Sequence, residues 1–397
     1  MPKPDDIDEL IQSLTAYQKE VKVEDLLESA LAEPLPTEER LGQIEQALET
    51  FKSLGLFGKD DARDLHLLLT LARTYERLSH LEKAHETYEV VLSLAQKLED
   101  AENEALVLCR MGRVLSRWDR WEEALDFLER SEKRYEALDD AGGRARVAIN
   151  RGAIYQQQGD YEPARAAYEE ALAQAEAAGN GTIVANVTNN LAILATIRGD
   201  LNDAIARYEA CLEMYREAGQ DRGLARAYYN LGMTHADRKD WTAAMDCYEH
   251  GFEIAQKEGF LDAMANMHLG MAEVLLELGN SMMVPVCCAR ALDVYRKIGD
   301  RLGEAETYRL LGRTFALRKE WETAEELYGD SIRLDEAHGN RLGAAESYRD
   351  LGTMQEAQGL RSEARESYQT ALAGFEKIGA QADSQKVQGF IEDLDAG

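Results

Sequence analysis

Asn150, Asn190 and Asn230 stand 40 residues apart, and Arg146 and Arg226 precede the first and last of them by four residues. A carboxamide carries two N–H donors and one acceptor oxygen. It can pair with the N–H and C=O of a peptide backbone whatever side chains that backbone bears. A guanidinium group makes bidentate, charge-assisted contacts to carboxylates. Amides and guanidinium groups at a fixed period therefore suggest a surface that holds a peptide by its backbone and prefers acidic side chains. The candidate peptide-binding residues are Arg73, Arg110, Arg113, Arg146, Asn150, Asn186, Asn190, Arg226 and Asn230. Farther along, Glu273, Glu306, Glu346 and Asp350 stand among Arg309, Arg313 and Arg349, so the same columns pass from basic and amide-rich to mixed and acidic.

The period that places these residues pervades the chain. "IGDRLGEAETYRLLGR" (298–313) returns as "HGNRLGAAESYRDLGT" (338–353). A small residue anchors each copy, at Ala84, Ala124, Ala164, Ala204, Ala244, Val284, Ala324 and Ala364. Gly or Ala recurs twelve residues before the anchor, as in Gly112, Gly152, Gly232, Gly312 and Gly352, where two helices can approach closely. An aromatic follows four after it, as in Tyr88, Tyr168, Tyr208, Tyr248, Tyr328 and Tyr368, with Leu128 and Cys288 as exceptions. A glycine fifteen after it, from Gly179 to Gly379, is suited to ending a helix in the left-handed conformation. Apolar residues fall at helical spacing, so each repeat reads as an antiparallel helix pair. The first helix is expected from roughly 20 residues before the anchor to about 6 before it. The second starts near "GDY", "KDW" or "KEW", where Asp160 and Asp240 are placed to cap it. Positions 18, 14 and 11 before each anchor then form one stripe of the first helix.

A period near 40 also occurs in HEAT-type arrays and propeller blades. Blades need alternating strands, and HEAT units lack this Leu-Gly…Ala…Tyr order. The text "YYNLGMTHADRKDWTAAMDCYEHGF" (228–252) resembles the tetratricopeptide repeat, in the 40-residue form of LGN/Pins-type adaptors and, more distantly, kinesin light chain. The resemblance covers residues 61–380. It implies an all-α, right-handed solenoid with a concave groove lined by the first helices. It also implies that Asn in "NNLAIL" (189–194), "NLGMTH" (230–235) and "NRGAIY" (150–155) holds a ligand backbone. Arg146, Asn150, Asn190, Arg226 and Asn230 further resemble the two-carboxylate clamp of chaperone-binding cochaperones, with Asn230 in place of one basic residue. The expected function is a scaffold or adaptor that binds a peptide segment or C-terminus of another protein. The alternative is a peptide-sensing receptor that changes shape, similar to Rap-type quorum-sensing regulators. A third reading has the acidic amphipathic segment "DDIDELIQSL" (5–14) folding back as an internal ligand.

Composition agrees with helix and narrows the partners. The 397 residues include only 6 Pro, and the net charge of −29 opposes nucleic acid and anionic membranes as partners. Mean hydropathy is −0.44, no stretch suits a membrane span, and the start lacks a secretory pattern, so a cytoplasmic protein is expected. Cys109, Cys211, Cys247, Cys287 and Cys288 form no disulfide or zinc spacing and read as core residues. There is no Gly-rich phosphate loop, HExxH or nucleophile elbow. Neither an enzyme nor a cofactor is expected. Residues 1–60 read as an N-terminal cap ending in a degenerate repeat at 38–54, 61–380 as eight repeats, and 381–397 as a capping helix whose face is Val387, Phe390, Ile391 and Leu394. Either cap could support a homo-oligomer. Pro285 in "NSMMVPVCCARAL" implies a late helix start or a kink, or a bend or partner surface with Met282 and Met283. Trp121, Trp241 and Trp321 read as packing between repeats.

Overall fold

The computed structural model describes residues 60–396 and, before them, positions 41, 42, 45, 46, 49, 52 and 58. The acidic segment 5–14 and the rest of the expected cap up to residue 40 lie outside the described residues. Two compact units divide the chain, Met1–Val187 and Thr188–Gly397. The first contains α1 (Asp61–Arg77), α2 (Leu81–Lys97), α3 (Ala101–Ser116), α4 (Trp121–Ala137), α5 (Ala141–Gln158) and α6 (Tyr161–Ala177). Helix α7 (Gly181–Ile197) runs from the first unit into the second. The second continues with α8 (Leu201–Glu217), α9 (Asp221–Asp237), α10 (Trp241–Glu258), α11 (Leu261–Glu277) and α12 (Val284–Ile298). It ends with α13 (Arg301–Leu317), α14 (Trp321–Ala337), α15 (Arg341–Gln358), α16 (Arg361–Ile378) and α17 (Gln381–Ala396). No strand occurs among the described residues, and none of their helices is long and apolar enough to cross a membrane.

The chain reverses every 20 residues because one residue there is left-handed. Gly159, Gly179, Gly199, Gly219 and the later glycines of the series have φ between 62° and 83°. Ser79, Glu99, Asp119, Asp139, Lys239 and Lys319 fill the same role with φ of 52–63°. The residue after each turn often caps the next first helix. Asp100, Asp140, Asn180, Asp300 and Asn340 accept from the backbone N–H three residues on, at 2.9–3.2 Å. These caps start the first helices about three residues earlier than the periodicity alone indicates. Asp240 caps α10 through Ala243 N–H at 3.4 Å, whereas the Asp160 side chain makes no cap hydrogen bond. A side chain with a Cβ pays for left-handed φ where glycine does not. Lys239→Gly and Lys319→Gly should each raise stability by about 0.5–1 kcal/mol, read as a higher urea midpoint with unchanged m.

Packing explains the columns. All eight anchors have 0% exposure. The aromatic four residues later is buried against the Gly column of the same repeat. A Cβ on Gly152, Gly232, Gly312 or Gly352 would lie 2.6–2.8 Å from the ring of Tyr168, Tyr248, Tyr328 or Tyr368. Their hydroxyls find partners at the end of the first helix: Tyr88 donates to Glu76 at 2.8 Å, Tyr168 to Gln156 at 3.0 Å and Tyr368 to Glu356 at 2.9 Å.

A second column alternates. Eleven residues after successive anchors stand Ala95, Tyr135, Ala175, Tyr215, Ala255 and Tyr295, all buried. Each of these tyrosines fills a notch over a glycine eight residues on, since a Cβ on Gly143, Gly223 or Gly303 would meet its ring at 2.2–2.6 Å. Opposite the alanines stand Asn103, Ile183 and Ala263.

The ends follow the same logic. Leu41 joins a core with Leu65, Leu69, Ala72 and Tyr75. Helix α17 lays Val387, Phe390, Ile391 and Leu394 against Tyr368 and Phe375. Helix α12 starts late, at Val284, so Pro285 falls in its first turn, where it is tolerated. Met282 is 75% exposed just before it. Trp121, Trp241 and Trp321 pack into separate cores, and the five cysteines are buried and free.

Candidate functional site

The candidate residues all lie on the first helices of their repeats, and their side chains are engaged unequally. In the N-terminal unit Arg73 lies on α1 and Arg110 and Arg113 on α3. Glu76, 2% exposed, joins them. It accepts from Arg113 Nε at 2.5 Å, from Arg110 Nη1 at 3.4 Å and from the Tyr88 hydroxyl at 2.8 Å. Arg117 adds a bond to the Glu76 carbonyl at 2.8 Å. Burial alone would raise the Glu76 carboxyl, but Arg113, Arg110 and Tyr88 outweigh it and hold the group below its ordinary value. Arg73 takes no part in this bonding. Its Nε is buried without a hydrogen-bond partner. Burial and the neighbouring Arg110 charge both lower its pKa. Three guanidinium groups thus cluster around one carboxylate, leaving positive charge in an acidic chain.

On α5, Arg146 is exposed with its charge beside the Tyr135 hydroxyl, and Asn150 donates to Cys109 Sγ at 3.2 Å. Asn186 lies half-buried one helical turn before Asn190 on α7.

In the C-terminal unit Arg226 repeats the Arg146 arrangement, with its charge beside the Tyr215 hydroxyl. Asn230 donates to Asn189 Oδ1 at 3.3 Å. Asn150 and Asn230 thus each reach back 41 residues, to the position just before the preceding member of their own column. The three asparagines do not bond to one another. Each bonded amide keeps an acceptor oxygen for another partner, and the Asn190 amide makes no hydrogen bond among the described residues.

Periodicity pointed at columns 18, 14 and 11 but missed the column 15 before the anchor, which holds Asn189, Tyr229, Arg309 and Arg349. Its signal was available, because positions 18, 15 and 11 are also spaced i, i+3, i+7. Arg309 is the hub of the acidic end. It pairs with Glu306 at 2.5 Å, Asp350 at 3.3 Å and Glu346 at 3.4 Å. Arg349 pairs with Asp350 at 3.0 Å and Asp383 at 3.6 Å, and Arg313 with Glu277 at 2.9 Å. Burial opposes the Arg309 charge, but Glu306, Glu346 and Asp350 overcome it and keep the guanidinium protonated. A cleft of about 390 Å³ opens beside this network, lined by Leu276, Arg313, Leu317, Trp321, Tyr328 and Asp350 among others. No group of three or more His, Cys, Asp or Glu among the described residues is placed to hold a metal ion.

Paired helices repeated at a fixed interval, with their polar stripe on the first helix of each pair, define an all-α helical-repeat solenoid. Residues 103–177, 143–217, 183–257 and 263–337 match the tetratricopeptide repeat family. The chain belongs to the tetratricopeptide-repeat family. No curated protein matches it. Among solved structures it is similar to the apo form of the quorum sensor NprR from B. thuringiensis, at 17% identity and a TM-score of 0.60, over 91% of this chain and 99% of that one. It is also similar to the apo form of RapI, at 15% identity and a TM-score of 0.59, over 70% of this chain and 99% of that one. A signal transduction ATPase with a tetratricopeptide repeat sensor from Pyrococcus horikoshii is 12% identical, with a TM-score of 0.60, over 96% of this chain and 54% of that one. At these identities the likeness is one of fold.

Proposed function

We propose that the protein is a non-enzymatic scaffold or adaptor that binds a peptide segment, or the C-terminus, of another protein along the first-helix face. The observation that carries this reading is the Asn190 amide, unpartnered on a stripe where Asn230 and Asn189 are already paired. Asparagine along this stripe holds backbone, and Arg146, Arg226 and the excess guanidinium around Glu76 select acidic side chains. A randomised peptide library displayed on phage provides the probe. The wild type should enrich peptides bearing acidic residues, and Asn190→Ala with Asn230→Ala should weaken the best of them by about 100-fold. Helicity should not change, since Asn190 supports nothing in the fold and losing the Asn230–Asn189 bond costs only about 1 kcal/mol. Equal affinity in the double variant removes the reading.

The fold likeness to a quorum sensor over 91% of the chain favours a second reading, a peptide receptor that changes shape on binding. Small-angle scattering of the protein with a selected peptide separates the two. Compaction supports the receptor, and an unchanged envelope supports the static scaffold.

A further inference from the structure

Glu273 on α11 is a carboxylate of the C-terminal unit with no matched cation among the described residues. Its nearest cations are committed elsewhere, Arg309 to Glu306, Glu346 and Asp350, and Arg313 to Glu277 at 2.9 Å. The Glu273 carboxylate makes no hydrogen bond or ion pair among the described residues, and neither does the Tyr229 hydroxyl on α9. The two groups are close enough that Glu273 raises the Tyr229 pKa, and Glu306 acts on both. The Tyr229 ring centroid lies 5.9 Å from that of Tyr248, giving an aromatic wall beside the acid. An acid without a partner, a phenol without a partner and a second carboxylate beside tyrosine rings are the groups that bind an ammonium or guanidinium ion.

We propose that Glu273, with Tyr229 and Glu306, receives a lysine or arginine side chain of the peptide bound along the first-helix face. The proposal rests on the peptide-binding reading above.

Glu273 can carry a proton when no cation is bound. Burial and the Glu306 charge push its carboxyl up to about 7, with Arg309 and Arg313 opposing and Glu346 adding. Tyr229 from α9, Tyr248 from α10, and Cys288 and Tyr295 from α12 complete its surroundings. A bound cation favours the ionised form, so binding releases a proton and tightens as pH rises through neutrality.

The same phage library tests the site, selected on the wild type and on Glu273→Gln, which keeps the shape and removes the charge. Lys or Arg should be enriched at one peptide position by the wild type and not by the variant. In the best peptide, replacing that cation with norleucine should weaken wild-type binding about 10-fold and leave Glu273→Gln binding within about 2-fold. Wild-type affinity for this peptide should also rise between about pH 6 and about pH 8, and the variant's should not. Peptides selected without a cationic preference, or with the same preference on Glu273→Gln, overturn this site and leave the peptide-binding reading standing. If the wild type enriches no peptide, both fall.

Discussion

Glu76→Ala should destabilise the N-terminal unit by about 3–5 kcal/mol, the loss expected when one partner of a buried ion pair is removed. The substitution strands Arg113 and Arg110 against each other, beside Arg73, and leaves the Tyr88 hydroxyl without its acceptor. The effect has a pH signature. The Glu76 pKa is lowered in the folded protein, so the stability it contributes is present above the unfolded value of about 4.3. That stability is lost as pH falls through the lower folded value. The wild type should therefore lose stability on acidification below about pH 4.3 more steeply than Glu76→Ala. Urea titration at neutral and acid pH measures this, and hydrogen exchange of α1–α3 localises it. A loss under about 1 kcal/mol would mean the arginines relax into solvent and the cluster has no structural role.

The second large effect centres on Tyr248. Glycines of two first helices grip this one ring: a Cβ on Gly232 would come within 2.6 Å of it, and a Cβ on Gly270 within 2.5 Å. Either Gly→Ala change forces the ring or a helix to move, at about 1–3 kcal/mol. A ring pushed by one alanine moves towards the other glycine, so Gly232→Ala with Gly270→Ala should cost more than the sum. Gly329→Ala is the control. It lies within α14 with nothing inside 4 Å of its added Cβ, so it should stabilise by up to about 1 kcal/mol. Thermal melts of the four variants decide whether the grip exists, and additive losses would show that it does not.

The contrast between these sites shows what the sequence exposes. The anchors, the glycines facing Tyr168 or Tyr248 and the turn glycines were legible because each does the same job in repeat after repeat, and repetition separates job from accident. Asn190 and Arg226 were legible as members of a face for the same reason. Their engagement was not, because Asn230 pairs with Asn189 rather than Asn190, and that choice depends on how two neighbouring helices are offset. Glu76 was obscured: its column repeats only as Gln156 and Glu356 and otherwise holds Ser, Thr, Ala or Leu, and it becomes important only when Arg110 and Arg113, more than thirty residues away, fold against it. The caps Asp100, Asp140 and Asp300 were less legible because the same column also holds Gln220, Phe260 and Ala380. Glu273 stood in view as one carboxylate among many, and only the prior commitments of Arg309 and Arg313 distinguish it.

The alternation of Tyr135, Tyr215 and Tyr295 with Ala95, Ala175 and Ala255 bears on how such a chain could have grown. Excising residues 141–180, a single period, would bring Ile183 to the place of Gly143 beneath Tyr135. Excising 141–220 would bring Gly223 there and restore the fit. The tile that can be copied or dropped without a misfit at the seam is therefore a tandem of two periods. Beyond Tyr295 the rule ends, since Gly343 stands one period after Gly303 and a single period could be dropped there.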